Sequence, residues 1–363
     1  MSDDARSAGE PGLVQIGEPG QPRAIGERGE PQAIGVYGAP RPAVPQRVPL
    51  APRTKGCASG AAGHGASGPG EFRRLPPWLK VQLPGKGDYA PTRALLRSQR
   101  LVTVCEEARC PNLGHCWERG TATIMILGEL CTRRCGFCAV APGRPNGWVD
   151  WDEPRRVGES VAAMNLKHTV ITSVCRDDLM DGGSTIFALT IQEIRKHSGT
   201  VIEVLIPDFR GSAGDLQRVI DARPEVINHN IETVERLQSV VRPSARYDRS
   251  LELLRRVHAS GAGIKTKSGL MLGLGETDDE VRRTLEDLRA HDCELLTIGQ
   301  YLRPSPLHLP VVEYVHPDQF AHWGRVATEL GFTSAASGPL VRSSYHADLL
   351  AGTVRPGETS HAG

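Results

Sequence analysis

The sequence predicts an α/β protein whose central part is a partial (β/α)6 barrel of the TIM type. From Thr121 onward, apolar runs rich in β-branched residues alternate with amphipathic stretches. The intervals between these runs are long enough for a helix, which implies right-handed crossovers and a parallel sheet. Six units fit an incomplete barrel better than the full eight. The predicted strands cover residues 121–127, 168–174, 200–207, 226–232, 264–272 and 295–301.

Helical patterns lie between these strands. They are clearest at residues 251–260 and 279–291, where Val281, Leu285 and Leu288 follow the spacing of one helix face. A further helix is predicted over residues 317–330. Because the strands would run parallel, the loops at their carboxyl ends meet at one mouth of the barrel, where such folds carry their chemistry.

The first 72 residues differ from the rest in composition. They are rich in Gly and Pro and contain three degenerate units at residues 16–24, 25–33 and 34–43. Single isoleucines in these units provide no continuous core for a solenoid, and Gly does not recur at every third position as in collagen. Ordering each residue costs about 1–2 kcal/mol. We therefore predict a disordered low-complexity tail at 1–72, an N-terminal extension at 73–120, the barrel at 121–335 and a C-terminal segment at 336–363.

Charge and targeting signals exclude several classes of protein. Lys and Arg total 43 against 42 Asp and Glu, so no nucleic-acid partner is expected. No apolar run approaches the roughly 18 residues of a membrane span. The start of the chain lacks a signal-peptide pattern and carries acids, which a transit peptide avoids. We expect a cytoplasmic protein, with no membrane partner and with reduced thiols.

Three cysteines follow the first predicted strand in the run CTRRCGFC. Cys131, Cys135 and Cys138 have the spacing C-x3-C-x2-C. Thiolates favour iron–sulfur clusters or zinc, and three of them hold three corners of a 4Fe–4S cube while leaving one iron open to a small molecule. The alternative, a structural zinc site, normally has four ligands in paired C-x2-4-C units.

A second group of three cysteines lies upstream. Cys105, Cys110 and Cys116 have the spacing C-x4-C-x5-C, so six of the nine cysteines fall into two incomplete sets. A disulfide framework is the alternative, but frameworks of that kind are typical of short secreted chains. The two sets therefore predict two metal centres.

Glycine-rich segments occur after the second predicted strand and near the fifth. Asp181, Gly182 and Gly183 come after the second strand, where glycine allows close approach to the amino and carboxylate groups of a ligand. An ordinary turn that opens the next helix explains them equally well. The run from Gly269 to Glu276 matches the pattern G-x-[I/M]-x-G-x-x-E, although such runs also mark simple strand-to-helix turns.

The fourth predicted strand ends in a polar set. His229, Asn230 and Glu232 occur in the run NHNIE. A buried set whose members satisfy one another is at least as good an explanation as contact with a ligand.

The motifs in combination resemble the lipoyl synthase family of radical S-adenosylmethionine (SAM) enzymes. The resemblance runs from about Leu75 to about Ala351, and the one local departure is Cys175, where the family usually has Asp or Asn. The motifs that carry the resemblance are CEEARCPNLGHC, CTRRCGFC, TSVCRDDLMDGG, VLIPDFRG, KSGLMLGLGET, QYLRPS and RSSYHA.

The resemblance implies a barrel of the radical SAM class with both extensions over its mouth. It also implies two 4Fe–4S clusters and SAM, which chelates the open iron of the cluster on the CTRRCGFC loop. The glycine-rich segments would contact SAM, the second one at its adenine. Ser344 would be the fourth ligand of an auxiliary cluster on the upstream cysteines.

The implied activity is a radical-mediated sulfur transfer. Such enzymes insert two sulfur atoms at C6 and C8 of an octanoyl chain on a protein lysine, and the auxiliary cluster donates the sulfur. These carbons carry no acidic proton, so a 5′-deoxyadenosyl radical must remove hydrogen atoms. The implied partners are octanoylated carrier domains of a 2-oxoacid dehydrogenase acyltransferase or the glycine cleavage system, a flavodoxin or ferredoxin class reductant, and cluster assembly or repair proteins.

Two alternatives remain at this point. A sulfur-inserting enzyme resembling biotin synthase would share the C-x3-C-x2-C run but lack the upstream cysteines and RSSYHA. A non-catalytic electron carrier would need closed sites of four cysteines. This chain has two sets of three cysteines and one candidate serine ligand. That ligand count distinguishes the lipoyl synthase interpretation from both alternatives.

Overall fold

The fold is organised around one open sheet. In the described part of the chain it has eight strands in the order of the sequence, from β1 to β8. β1 is antiparallel to β2, and every other neighbouring pair is parallel. The strands are β1 (Val102–Thr103), β2 (Thr121–Ile126), β3 (His168–Ser173), β4 (Val201–Leu205), β5 (Val226–Asn228), β6 (Lys265–Leu272), β7 (Leu295–Gln300) and β8 (Ser334–Gly338).

The computed structural model describes residues 75–80, 90–107, 110, 112–118, 121–344 and 347. The predicted tail at 1–72, with Cys57, lies outside the described residues, as do Tyr345 and His346 of the RSSYHA run. The described residues all belong to the compact unit Arg41–Gly363. In this part of the chain, none of the helices combines the length and hydropathy that crossing a bilayer requires.

The helices fall between the strands, as the sequence predicted. The three helices that the sequence placed most clearly are confirmed as α8, α9 and α10. The full set in the described residues is α1 (Ala90–Ser98), α2 (Val104–Glu107), α3 (Leu113–Glu118), α4 (Glu153–Ala163), α5 (Ser184–His197), α6 (Ala213–Asp221), α7 (Gln238–Val241), α8 (Tyr247–Ala259), α9 (Asp278–Ala290) and α10 (Pro317–Glu329).

All six predicted strands are confirmed as β2 to β7. Parallel strands covered on both faces are expected to be continuously apolar, and every residue of β2 and β7 is buried. Two further strands extend the predicted sheet, one at each edge. β8 has the sequence SAASG, which lacks the β-branched and aromatic residues that favour strands, and it is half-buried throughout. It forms because it continues the sheet beside β7.

Local signals in the sequence set the ends of several helices. Thr277 caps α9: its hydroxyl accepts from Glu280 N, while the Glu280 carboxylate accepts from Thr277 N. This reciprocal capping box satisfies two amides that the helix leaves unpaired. Ser212 caps α6 in the simpler way, by accepting from Asp215 N. Both helices thereby begin directly after the loops that leave the carboxyl ends of strands.

A charged group lies buried within the sheet. Lys267 Nζ on β6 lies 2.9 and 3.0 Å from the two carboxylate oxygens of Glu203 on β4, and Asn228 Nδ2 donates to Glu203 at 3.0 Å. Contact between strands that are not neighbours places these side chains on the concave face. Burial opposes charge on Glu203, but Lys267 outweighs it and lowers the pKa of Glu203 to about 2. The inside of the barrel is therefore polar beneath its mouth.

Candidate functional site

The CTRRCGFC loop leaves the carboxyl end of β2, at the mouth where the other parallel strands also end. Cys131 N donates to Ala141 O at 2.9 Å, and Gly143 N donates to Cys131 O at 2.8 Å. Cys138 N donates to Cys135 O at 3.2 Å, which closes a tight turn. These bonds fold the loop back on itself and bring Cys131, Cys135 and Cys138 to the wall of one pocket.

That pocket encloses about 600 Å³ of space, its open mouth included. Besides the three cysteines, its wall contains Arg133, Arg134, Ser305, Leu307 and His308. Among the described residues, no three His, Cys, Asp or Glu side chains converge on a point where one metal ion would bind. A 4Fe–4S cube needs no such convergence, because each thiolate binds a different iron. The three thiols on one pocket wall therefore fit the donor set of such a cluster.

The three thiols differ in how readily they lose a proton. A hydrogen bond from Cys175 lowers the pKa of Cys131 to about 7. Burial raises the pKa of Cys135 to about 11 and that of Cys138 to about 12. Burial therefore opposes the charged thiolate form of Cys135 and Cys138 more than that of Cys131.

Cys175 lies beside the cysteine loop. Its carbonyl oxygen accepts from Thr132 N at 3.0 Å and from Thr132 Oγ1 at 2.9 Å. The hydrogen bond with Cys131 and burial both raise the pKa of Cys175, so its thiol is the donor to Cys131. The family departure noted in the sequence thus places a fourth sulfur next to a proposed cluster ligand.

Arg133 anchors the loop to two neighbouring strands, a contact that sequence reasoning missed. Its guanidinium donates to Asp177 Oδ2 at 2.7 Å, to Asp177 Oδ1 at 2.8 Å and to Asp208 Oδ1 at 2.6 Å. Asp208 follows β4, is fully buried and also pairs with Arg249 at 3.1 Å. Burial opposes its charge, but the hydrogen bond and the charge of Arg133 outweigh this and lower the pKa of Asp208 to about 2. An Arg between two predicted ligand cysteines needs carboxylate partners if it is buried, and this was the signal in the sequence that could have located Asp177 and Asp208.

Residues 302–313, the segment that follows β7, cover the loop from the other side. Leu309 N donates to Gly136 O at 3.0 Å, and His308 Nε2 lies 3.0 Å from Cys138 O. At its far end, Val312 N donates to Gly273 O at 2.9 Å. The 302–313 segment therefore links the cysteine loop to the glycine-rich turn after β6.

The Asp181-Gly182-Gly183 turn has a structural explanation. Asp181 accepts from Gly183 N at 2.9 Å and from Thr185 N at 3.0 Å, so both carboxylate oxygens serve the start of α5. Gly182 and Gly183 have φ values of 60° and 92°, and a side chain at Gly183 would collide with Leu127. The ordinary-turn interpretation thus accounts for the glycines, and contact with SAM stays a prediction.

The glycine-rich turn after β6 is held by its own carboxylate. Glu276 accepts from Gly273 N and, at 3.0 Å, from Leu274 N. Gly273 has a φ of 102°, and a side chain there would collide with Gln300 and Glu313. The predicted role of Gly269 and Glu276 in binding SAM stays a prediction, because Glu276 also has this structural task.

The polar set after β5 divides into two kinds of residue. His229 is fully satisfied: its Nδ1 donates to Ile206 O at 2.8 Å and its Nε2 lies 3.0 Å from Ser250 Oγ. Asn230 differs, because its Oδ1 is buried with no hydrogen-bond partner among the described residues. A Cβ at Gly269 would lie 2.7 Å from that oxygen, so the glycine keeps the space beside it open. Asn230 Nδ2 donates to Glu232 at 3.0 Å.

The upstream cysteines lie close to the C-terminal segment. Cys110 N donates to Cys105 O at 2.9 Å, and Asn112 Nδ2 donates to Leu340 O at 2.6 Å across 228 residues of sequence. Burial lowers the pKa of the Arg342 guanidinium, which also interacts electrostatically with Cys110. Ser344 occupies a half-buried turn two residues beyond Arg342. The structure therefore brings together the two segments that carry the predicted auxiliary ligands.

Two family models match parts of the chain. The model of the radical SAM superfamily matches residues 125–288. The model of the N-terminal domain of lipoyl synthase of the radical SAM family matches residues 60–110. Among solved structures, methylornithine synthase (PylB) has a TM-score of 0.45 and 13% identity, covering 72% of this chain and 88% of that one. SuiB of Streptococcus suis bound to its precursor peptide SuiA has a TM-score of 0.48 and 9% identity, covering 69% and 52%.

Curated relatives are much closer in sequence. Lipoyl synthase of Rubrobacter xylanophilus is 54% identical over 75% of this chain and 85% of its own length. Lipoyl synthase of Caldanaerobacter subterraneus is 53% identical over 76% and 96%, and the mitochondrial lipoyl synthase of Nematostella vectensis is 53% identical over 75% and 94%. The open parallel sheet, the cysteine loop at its mouth and the superfamily match define a radical SAM enzyme. Within that class, the chain belongs to the lipoyl synthase family.

Proposed function

We propose that this chain makes the lipoyl group by inserting two sulfur atoms at C6 and C8 of an octanoyl chain on a lysine of a carrier protein. The observation that carries the proposal is the 54% identity to curated lipoyl synthases over three quarters of the chain. Both incomplete cysteine sets lie within the span of the resemblance. The biotin synthase type of enzyme and the closed electron carrier lack that combination.

The proposal assigns Cys131, Cys135 and Cys138 to one 4Fe–4S cluster and Cys105, Cys110 and Cys116 with Ser344 to the other. When bound, the first cluster supplies an electron to cleave SAM and the auxiliary cluster supplies sulfur. The common pocket wall supports the first assignment. The hydrogen bond from Asn112 to Leu340 supports the second, because it joins the segments that carry these ligands.

The chain itself provides position and shelter. The ion pairs of Arg133 and the contacts of the 302–313 segment both hold the cysteine loop. The unpaired Asn230 Oδ1 and the room beside Gly269 provide a polar cradle of the kind that a nucleoside requires. The 302–313 segment would exclude water from such a site, which protects a radical from side reactions. We assign Asp181, Gly182, Gly183, Gly269 and Glu276 to the walls of the SAM site.

Partners follow from the proposed reaction. The substrate is a lipoyl-carrier protein, and we propose the carrier domains of a 2-oxoacid dehydrogenase acyltransferase and of the glycine cleavage system. A flavodoxin or ferredoxin class protein would deliver electrons, and cluster assembly or repair proteins would replace the consumed sulfur. We also propose a cytoplasmic location, because both clusters need reduced thiols.

Turnover of a defined peptide tests the proposal. The protein is reconstituted anaerobically and incubated with an octanoyl-lysine peptide, SAM and dithionite, and the peptide is then analysed by mass spectrometry. We expect a product with two added sulfurs and about two SAM cleaved per product. Cys131→Ala should abolish SAM cleavage, whereas Cys110→Ala should retain cleavage and lose sulfur insertion.

Other results would contradict parts of the proposal. If the unmutated protein cleaves SAM without inserting sulfur, the assignment of the radical SAM site would stand. The proposed octanoyl-lysine substrate would then be contradicted. Binding of about eight irons without any SAM cleavage would favour the electron-carrier alternative.

A further inference from the structure

We propose that His308 is a positioning residue for the cysteine loop. By hydrogen bonding to the Cys138 carbonyl, it holds the Cys135–Cys138 turn in the form in which the Cys138 thiol joins Cys131 at the pocket wall. The inference rests on the proposed function, because it concerns the same cluster site.

The hydrogen-bond partners of His308 determine its tautomer. A carbonyl oxygen only accepts, so the Nε2 that lies 3.0 Å from Cys138 O carries the proton. The Nδ1 lies 2.8 Å from Ser305 Oγ, and in the neutral ring it accepts from that hydroxyl. Ser305 therefore orients the imidazole with its N–H directed at Cys138.

The backbone around His308 is itself fixed, so the ring is held in a defined place. Arg303 Nε donates to His308 O at 3.0 Å, and the buried Tyr301 hydroxyl donates to Leu309 O at 2.8 Å. Leu309 packs so closely on Gly136 that a Cβ there would lie 2.8 Å from its side chain. The 302–313 segment thus presents a rigid donor to a loop that fits closely against it.

The hydrogen bond that closes the turn, Cys138 N to Cys135 O, lies at the upper end of the usual distance range at 3.2 Å. The His308 donor adds a second hydrogen bond to the same turn. Removing one donor from this partly buried carbonyl should shift the local opening equilibrium by roughly tenfold, which corresponds to about 1.4 kcal/mol. Loss of the His308 donor should therefore let the Cys138 turn open about ten times more often.

Alkylation of the metal-free protein measures that opening directly. Iodoacetamide modification of Cys138 is followed by mass spectrometry in wild type, His308→Phe and His308→Gln, with the exposed His258→Phe on α8 as a matched control. We expect Cys138 to react about tenfold faster in His308→Phe. His308→Gln keeps an N–H that can reach the Cys138 carbonyl, so its Cys138 should react at the wild-type rate. The control His258→Phe should also react at the wild-type rate.

A second readout follows the cluster itself. After reconstitution and reduction, His308→Phe should change the electron paramagnetic resonance signal and its response to SAM, and His308→Gln should keep both. The proposal is overturned if Cys138 reacts at the wild-type rate in His308→Phe, or if His308→Gln reacts as fast as His308→Phe. Failure of the wild-type protein to cleave SAM would instead reject the proposed function, because alkylation of the metal-free turn does not depend on it.

Discussion

At the scale of single residues, hydrogen bonding distinguishes buried polar groups of the framework from those left open to a ligand. His229 and Asn230 are neighbours in sequence and both are buried. His229 uses both ring nitrogens within the protein, whereas Asn230 keeps an unpaired oxygen beside Gly269. Because an unpaired buried acceptor costs free energy, it is expected where a ligand completes it. His229 therefore belongs to the framework, whereas a role of Asn230 in the proposed SAM site stays a prediction.

The environment of His229 predicts a pH dependence of stability. Burial lowers its pKa to about 4; Arg242 and Arg133 act in the same direction, while the Ile206 carbonyl and Asp208 oppose them. An unfolded histidine has a pKa of about 6.5. Between these values the unfolded chain takes up a proton that the folded chain refuses. The contribution of His229 is therefore complete above pH 6.5 and is lost as the pH falls towards 4.

Urea unfolding of the metal-free protein between pH 7 and pH 4.5 checks this. Wild type should lose up to about 3 kcal/mol through His229 across the full window. His229→Phe is less stable at pH 7, but its free energy of unfolding should fall less steeply with acid. His258→Phe replaces an exposed histidine and should keep the wild-type slope. Equal slopes in wild type and His229→Phe would show that His229 does not titrate as inferred.

At the scale of elements, the cysteine loop is held by charges from neighbouring strands. Arg133 lies between two proposed ligands, and its partners Asp177 and Asp208 follow β3 and β4. Parallel strands bring those carboxyl ends to one edge, so residues 31 positions apart in sequence can hold the same guanidinium. Breaking one partner of a buried ion pair is far more costly than losing an exposed pair.

Asp208→Asn should therefore weaken both the fold and the loop. The substitution leaves Arg133 buried without one of its counter-charges, and we expect a loss of roughly 3 kcal/mol in the free energy of unfolding. The reconstituted variant should also retain less iron on the loop cysteines. Asp248→Asn, which breaks an exposed pair with Arg246, should change stability by less than about 1 kcal/mol. Comparable losses in the two variants would contradict the anchoring role of Asp208.

The elements differ in how well the sequence predicts them. β2 to β7 contain apolar runs rich in β-branched residues, so their positions follow from the sequence, and α9 is marked by a capping box. β8 is made of small residues and forms because it pairs with the edge strand β7, which no local pattern encodes. The two cysteine sets are visible through their spacing. The contacts of Arg133 and His308 depend on loops that meet only after folding, so the sequence predicted neither.

At the scale of the whole molecule, the two extensions meet. The hydrogen bond from Asn112 Nδ2 to Leu340 O spans 228 positions and joins the upstream cysteine segment to the segment that carries Ser344. The barrel needs no such bond to form its sheet, because β2 to β7 pair directly with one another. The auxiliary site therefore depends on a contact between distant parts of the chain that the cysteine loop does not use.

Asn112→Ala should impair the proposed auxiliary cluster site without impairing the cluster site on the cysteine loop. Losing this 2.6 Å hydrogen bond frees the C-terminal segment from the upstream cysteines, which weakens the proposed auxiliary cluster and leaves the cysteine loop intact. Iron analysis after reconstitution should show a fall from about eight towards about four irons per chain. Sulfur insertion should drop by about tenfold or more while SAM cleavage stays within about twofold of the wild-type rate.

The matched control is Gln217→Ala, which removes an exposed hydrogen bond to Asp221 on α6 and should change neither the iron content nor the two activities. Equal losses of cleavage and insertion in Asn112→Ala would mean that the bond supports the whole mouth of the barrel, and unchanged iron with full insertion would mean that it supports neither site.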